Sequence, residues 1–371
     1  MKRGLRIPAL PQQTGLIVII LLLGIVLTHF ARTVHGVNIF LNPNNIVQIV
    51  TVGAFFAIMA VGVTMVIITG GIDLSVGGTY ALSGVVMAML LQHSPALTAT
   101  ATVNGEPVVN WPAVLAAMGI CLGVGLVCGL INGIAVVGLR VHPFIITLGT
   151  MWIFRGIAFV SSKAISIPVP DGVTAFTKNT LGLGLQSSPV YPVPMLIMLI
   201  VTVVGEIYLL KTVMGRSIYA VGGNSDAARY CGLSIRRSLI GVYVVAGLTA
   251  GIAGFVGSSY YGSAACRDAD GYELFVVASA VVGGASLIGG RGSAVGAMLG
   301  AMLIVLIRRS ITTLGFDPNY EWIIVGFAIV VAVVLDRVGA DYSARRMARA
   351  ASARTEIDVE TPIVNNKEAI S

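Results

Sequence analysis

Four side chains stand out because their chemistry does not suit the apolar runs in which they occur: Asp73, Asn132, Trp152 and Arg155. An ionisable group at membrane depth is energetically costly, so Asp73 and Arg155 are candidates for a functional role by default. Asp73 can contact a polar solute, or it can cap the helix that begins after it, and the two roles are compatible. We group the four residues as a predicted substrate path.

Each of the other three residues also has an alternative role. Asn132 can hydrogen-bond a neighbouring helix or a hydroxyl of a solute. Arg155 lies six residues before Ser161, about 9 Å along a helix, so it can extend to the outer interface or line a path. Trp152 lies deeper than Trp111 and Trp322, which suit an interfacial belt, and it can stack on the ring of a solute.

The sequence predicts neither a catalytic site nor a metal site. None of the four histidines is paired with a cysteine or a carboxylate at the spacing that metal ligands need. A Gly-x-Ser-x-Gly elbow before a helix in a soluble segment is also absent from the sequence. A membrane-embedded enzyme is therefore disfavoured.

The composition indicates that most of the chain lies in lipid. Of the 371 residues, 56% are hydrophobic and 11% are charged, whereas about a quarter of a soluble domain is charged. Lipid cannot satisfy backbone polar groups, so the apolar runs must form helices. The net charge of +7 comes from Lys and Arg between these runs and not from a basic patch rich in aromatics, which argues against nucleic acid as a partner.

Apolar runs of the length that crosses a bilayer occur along the whole chain. They lie at about 15–31, 46–69, 76–92, 113–136, 144–161, 193–210, 238–260, 273–289, 294–307 and 320–336. The predicted fold is an all-α membrane protein, a polytopic bundle of about ten transmembrane helices. We expect a cytosolic segment over 1–14, a transmembrane domain over 15–338 with an inward loop at 211–237, and a partly disordered cytosolic tail over 339–371.

The distribution of Lys and Arg predicts the orientation. Cytoplasmic loops carry the excess of positive charge, and placing the N-terminus inside puts 16 of the 23 basic residues in the cytosol and six outside, with Arg155 inside a run. We therefore expect both termini to be cytosolic. The long loops at 93–112 and 162–192 then face outward.

The inward loop 211–237 has the pattern of a short helix with both ends specified. Asn224 or Ser225 can cap its start, Asp226 suits the first turn, and Gly232 can end it in a left-handed turn. Such a helix can dock into a groove on another subunit or can lie at the membrane interface. The spacing alone leaves both alternatives open.

The same loop resembles the coupling segment of the sugar permeases of bacterial ABC importers of the ribose, galactose and xylose type, a family that also resembles branched-chain amino acid permeases. The resemblance rests on 222–232 (GGNSDAARYCG) and covers roughly 40–340. Further matching motifs are 70–77 (GGIDLSVG), 129–133 (GLING), 143–151 (PFIITLGTM), 155–156 (RG), 283–284 (GG), 289–292 (GGRG) and 314–315 (LG) through Asp336. The sequence departs from the family in a longer outward insert near 98–111 and in Arg308-Arg309-Ser310, where an Asn-containing stretch is more common.

This resemblance implies a permease of the bacterial inner membrane that moves a monosaccharide or polyol by alternating access. Its implied partners are a cytosolic ATPase subunit, a periplasmic sugar-binding protein and a second permease copy, in a homodimer or heterodimer. ATP and magnesium would bind the partner ATPase, since the chain has no G-x-x-x-x-G-K-[ST] loop and needs no cofactor of its own. The resemblance implies that the ATPase is met by Arg216, Gly222, Gly223, Asn224, Ala227, Ala228, Arg229 and Gly232.

A secondary, ion-coupled transporter is the alternative function. Such a transporter needs coupling carboxylates or inverted repeats with broken helices. Only Asp73, Glu206, Glu273 and Glu321 come near the apolar runs, and the last three lie near run ends. The sequence therefore offers few carboxylates that could couple transport to a proton gradient.

Overall fold

The computed structural model describes residues 12–36, 42–99, 101–103, 106–180, 184–185, 188–189, 191–317, 319–324, 326–327, 330 and 334. The unit discussed below spans 1–329. The predicted cytosolic tail over 339–371, most of the predicted N-terminal segment and much of the tenth apolar run lie outside the described residues.

Thirteen α-helices and six two-residue strands have both ends within the described residues, and residues 320–324 and 326–327 are also helical. The helices are α1 Gln12–His35, α2 Pro43–Ile68, α3 Val76–Gln92, α4 Pro95–Thr98, α5 Trp111–Leu139, α6 Pro143–Ser162, α7 Asp171–Thr177, α8 Pro192–Lys211, α9 Val213–Gly223, α10 Ser225–Tyr230, α11 Ile235–Tyr261, α12 Tyr272–Val282 and α13 Ala294–Thr313. The strands are β1 Thr102–Val103, β2 Glu106–Pro107, β3 Ile167–Pro168, β4 Gly184–Leu185, β5 Ser188–Pro189 and β6 Ser263–Ala264.

Seven of the helices in the described part of the chain are long and apolar enough to cross a membrane: α1, α2, α5, α6, α8, α11 and α13. Helices α3 and α12 are apolar but shorter. The prediction of an all-α membrane protein is therefore confirmed. The apolar run 273–289 does not form one long helix. α12 ends at Val282, and the chain turns at Gly284, which has φ +99°, so that Ala285 N–H donates to the Ala280 carbonyl at 2.9 Å.

Burial is distributed as a lipid solvent requires. Large apolar side chains cover the periphery, with Val160 81% exposed and Leu115 69% exposed. Polar side chains such as Asp73, Arg155 and Asn132 are buried. Exposing an apolar surface to lipid costs no free energy, whereas exposing an unpaired polar group does cost free energy. This arrangement is therefore stable in a bilayer.

Small residues bring α5 and α11 together. A side chain at Gly125 would overlap the backbone of Gly247, and a side chain at Gly129 would overlap the backbone of Tyr243. Lipid provides no hydrophobic force between helices, so close backbone contact supplies the packing energy. Gly119 and Gly123, nearer the start of α5, have open space where a side chain would begin.

The loops at the end of α11 and α6 are joined by strand pairing. β3 pairs with β6 in antiparallel register, Ile167 opposite Ala264 and Pro168 opposite Ser263. The longer insert near 98–111 contains the short pair β1 and β2. These contacts fix the loops that follow α6 and α11 on the same end of the bundle.

The 27-residue α11 separates α10 from the loop 262–271 by about 40 Å, so the two should lie on opposite sides of the membrane. Cys231 is exposed beside α10, and Arg267 is exposed in that loop. With Arg267→Cys in a Cys231→Ser chain, an impermeant maleimide should react in intact cells. The wild-type Cys231 should react only after permeabilisation, because the charge distribution places it inside.

Cys266, the native thiol in the same loop, is buried and is expected to stay unlabelled in both conditions. Labelling of both Cys231 and the Arg267→Cys site in intact cells would contradict the separation of the two loops. Labelling of Cys231 alone would reverse the orientation.

Candidate functional site

The loop 211–237 contains two helices where the sequence predicts one. α8 ends at Lys211, α9 runs over Val213–Gly223 and α10 over Ser225–Tyr230, and only Asn224 separates α9 from α10. The Thr212 hydroxyl accepts a hydrogen bond from Gly215 N–H at 3.0 Å and begins α9. The spacing of the residues that α9 buries, Gly215, Ile218 and Val221, was the sequence signal for this missed helix.

Both ends of α10 match the sequence prediction. The Asn224 side-chain oxygen accepts from the N–H groups of Asp226 at 3.1 Å and Ala227 at 2.9 Å. Gly232 has φ +79°, and Leu233 N–H donates to the Ala228 carbonyl at 3.0 Å. This is a Schellman ending, in which the left-handed residue is usually glycine.

Almost all of the surface of α10 is exposed. Ala228 alone is buried in this helix and anchors it to the bundle. Arg229 is exposed and Tyr230 is 90% exposed. Arg216, on α9, is exposed as well and donates to the Lys211 carbonyl at 3.5 Å.

The end of α9 contacts the end of α2 backbone to backbone. A side chain at Gly222 would overlap the Ile68 carbonyl, and the same carbonyl accepts a hydrogen bond from Gly290 N–H at 2.8 Å. Gly223, the next residue, has open space where a side chain would begin. We call the contact among Gly222, Ile68 and Gly290 the helix junction.

Two side chains bond the backbone at and just before the start of α13, close in sequence to Gly290 of the helix junction. The Tyr219 hydroxyl donates to the Gly292 carbonyl at 2.7 Å. Burial, and secondarily the Glu206 carboxylate, raises the pKa of Tyr219 to about 12, so this hydroxyl stays a donor at physiological pH. Glu206 accepts from the N–H groups of Ala294 at 2.8 Å and Val295 at 3.2 Å, and so caps α13.

Asp73 lies in the break between α2 and α3 and is 1% exposed. Its Oδ1 accepts from the backbone N–H of Ser75 at 2.8 Å and from the Ser75 hydroxyl at 2.7 Å. Asn132 of α5 donates to the Ser75 Oγ at 2.6 Å. Asp73 therefore stabilises the start of α3, and Asn132 bonds a neighbouring helix, as one of its two predicted roles requires.

The same break receives two more polar side chains. Thr147 of α6 donates to the Ile72 carbonyl at 3.1 Å. Tyr243 of α11 places its hydroxyl against Gly71. The Tyr243 hydroxyl and the Asn132 Oδ1 are buried and have no hydrogen-bond partner among the described residues. The break over 69–75 is thus a polar centre to which three other helices contribute.

Arg155 clamps the loop after α11. Its guanidinium donates to the carbonyls of Cys266 and Asp268 at 3.2 Å each and of Ala269 at 3.1 Å, with Asp270 at 4.0 Å. Arg155 is 3% exposed, and whether its buried guanidinium lies at the depth of the outer interface stays a prediction. Whether it also borders a substrate path stays a prediction.

Trp152 lies on the exposed side of α6, away from the rest of the bundle. It is 63% exposed, beside the exposed Ile145, Leu148 and Ile153. The indole cannot stack on a solute held within this chain, so a path at Trp152 would have to run between this chain and a neighbour. The structure therefore brings Asp73 and Asn132 together but separates them from Trp152.

These features define a multi-pass α-helical membrane protein in which a short exposed helix is joined to a buried polar break. The model of the branched-chain amino acid transport system / permease component family matches residues 45–333. The chain belongs to this family.

Similar proteins include three permeases. The probable ABC transporter permease protein y4mJ of Sinorhizobium fredii is 37% identical over 79% of this chain and 81% of the relative. The D-allose transport system permease protein AlsC of Escherichia coli is 36% identical over 81% and 85%. The ribose import permease protein RbsC of Escherichia coli is 34% identical over 88% and 94%. No solved structure matches the chain.

The capping geometry at Asp73 predicts different outcomes for two substitutions. Asp73→Asn keeps an oxygen that can accept both Ser75 bonds, whereas Asp73→Ala leaves a buried N–H and a buried hydroxyl without that acceptor. We expect Asp73→Ala to lower the free energy of unfolding by about 1 to 3 kcal/mol and Asp73→Asn to change it little. Melting curves in detergent measure both. Equal losses in the two variants would show that the negative charge, and not the cap, is what matters.

Proposed function

We propose that this chain is the permease subunit of an ATP-driven importer that carries a monosaccharide or polyol across the bacterial inner membrane. The observation that carries the proposal is α10, a capped helix that is exposed except for Ala228 and is separated by one residue from a helix that touches α2. The relatives, which include permeases named for D-allose and ribose, support the substrate class.

The proposed assembly contains a second permease copy, a cytosolic ATPase subunit that binds ATP and magnesium, and a periplasmic sugar-binding protein. The proposed topology has about ten spans with both termini in the cytosol, supported by seven long apolar helices, by α3 and α12, and by the tenth apolar run. In this orientation α9 and α10 face the ATPase.

The ATPase would dock on α10 and the adjoining end of α9. Arg229 and Tyr230 offer a charge and an aromatic surface, and Arg216 adds a second charge on α9. Asn224 and Gly232 hold the ends of α10, and Ala227 and Ala228 form its body. Gly222 and Gly223 end α9 beside this surface.

The helix junction supplies a route from the docking surface into the membrane. A displacement of α9 pushes on the Ile68 carbonyl, because Gly222 leaves no gap there. Ile68 is directly followed by the break over 69–75, which Asn132, Thr147 and Tyr243 surround. Alternating access would then repack this polar centre and expose Asp73 and Asn132 to the solute in turn.

Two substitutions test the docking surface without touching a span. Gly232→Val forces a branched residue into a left-handed conformation, at a cost of about 1 kcal/mol or more, while Gly232→Asn is the matched control that tolerates it. Arg229→Glu reverses an exposed charge. In the reconstituted complex, Gly232→Val and Arg229→Glu should insert normally but lose sugar-stimulated ATP hydrolysis, and Gly232→Asn should retain it.

The same preparation separates the importer from an ion-coupled transporter. Sugar uptake should require ATP on the side of α10 together with the ATPase and the binding protein. Uptake by this chain alone along a proton or sodium gradient would refute the proposal, and so would full coupling in both Gly232→Val and Arg229→Glu.

A further inference from the structure

A cavity of about 350 Å³ opens where α2 begins and where α11 and α13 end. Arg308, in its lining, lies fourteen residues after the start of α13, about 21 Å along the helix from the end that contacts Tyr219. The cavity is therefore at the opposite end of the bundle from α9 and α10. Its volume falls within the range of small-molecule sites.

One wall of the cavity is aromatic. Tyr260 and Tyr261 line it, with ring centroids 5.3 Å apart and ring planes at 78°. An aromatic wall combined with a few polar groups is typical of sites for small polar ligands. Gln48 and Thr312 add an amide and a hydroxyl to the lining. The Gln48 oxygen accepts from Arg309, and the Thr312 hydroxyl donates to the Arg309 carbonyl at 3.0 Å, so towards a ligand hydroxyl the Gln48 NH2 can donate and the Thr312 oxygen can accept.

The positive charge of Arg308 is already balanced. Its Nε lies 2.6 Å from a carboxylate oxygen of Glu321. Its guanidinium carbon also lies 4.5 Å from the ring centroid of Phe275 and 5.0 Å from that of Phe56. Arg308 and Glu321 therefore form a neutral pair that is held on aromatic faces.

Arg309 has no such counter-charge. Its Nε donates to the Asn45 side-chain oxygen at 2.7 Å, and its Nη2 donates to the Gln48 side-chain oxygen. Both acceptors are neutral, and no carboxylate forms an ion pair with Arg309 among the described residues. The amides fix the guanidinium in place, and the lining of the cavity retains one positive charge that is not balanced within it.

We propose that this cavity is a substrate site for a sugar acid, a polyhydroxylated ligand with one carboxylate, which Arg309 binds. The inference rests on the proposed function and narrows its substrate class. A planar guanidinium matches a carboxylate in charge and in geometry. The tyrosines and the groups of Gln48 and Thr312 suit the ring and the hydroxyls of such a ligand.

The test compares acids with their neutral parents on the full chain in lipid nanodiscs. The probes are D-galacturonate with D-galactose and D-ribonate with D-ribose, titrated by calorimetry at low and at high salt. At least one acid should bind ten times or more tighter than its parent, and this preference should shrink as salt rises. Acetate, which carries the charge without the hydroxyls, should bind at least tenfold more weakly than that acid.

Variants assign the preference to Arg309. Arg309→Gln should bring the affinity for the acid down to that for the neutral parent, and Arg309→Lys should keep most of the preference. Arg267→Gln removes an exposed positive charge outside this cavity and should change nothing. Melting temperatures check that each variant is folded, and the comparison of acid with parent on the wild-type chain needs no variant.

Neutral parents that bind as tightly as both acids, acids that show no saturable binding, or an unchanged acid preference in Arg309→Gln would each overturn the proposal. An acetate affinity equal to that of the acids would also overturn it, because it would reveal a site for simple anions. None of these outcomes bears on coupled ATP hydrolysis with a neutral sugar, so the proposed function stands or falls separately.

Discussion

The backbone contact of Gly222 with the carbonyl of Ile68 determines how the helices meet at one end of this bundle. The carbonyl closes α2 and also accepts from Gly290 N–H, so three chain segments share one polar group. Any side chain at position 222 would separate these segments. The orientation of α9, and with it the exposure of α10, follows from the absence of a Cβ atom at this position.

Close backbone contact through small residues also packs other helices of the transmembrane domain. Lipid does not drive helices together, so contact must come from small residues, as at Gly129 and Gly247 between α5 and α11. Close backbones leave room for few side chains between them, and several of the polar ones among these are hydrogen-bonded. The Asp73, Ser75 and Asn132 chain and the contacts of Arg155 with the loop after α11 are two cases in which a buried charge is accommodated by hydrogen bonds.

The sequence predicts most of this fold for local reasons. Apolar length fixes the spans, and the ends of α10 follow from Asn224 and Gly232, because caps and left-handed turns are properties of a few neighbouring residues. The half-length of α12 did not follow from hydropathy, because hydropathy does not register the left-handed turn at Gly284 that ends this helix.

The sequence predicted which residues belong to the candidate site but not which partners they contact. Asp73 and Asn132 were identified by type, yet their link through Ser75 joins residues 57 positions apart, and spacing carries no such information. For Arg155 the sequence left two roles open, at the interface or along a path, and it did not predict the carbonyls that hold this side chain, which come from a loop more than 100 residues later. The function of Glu206 as the cap of α13 was missed for the same reason.

The helix junction is tested most directly by adding one methyl group at each of two adjacent positions. Gly222→Ala would overlap the Ile68 carbonyl, and Gly223→Ala would enter open space, so helix propensity changes equally and only the contact differs. The measurements are the melting temperature of each variant and sugar-stimulated ATP hydrolysis in the reconstituted complex. The account predicts that Gly222→Ala loses stability and coupling while Gly223→Ala keeps both. Indistinguishable behaviour of the two variants would contradict it.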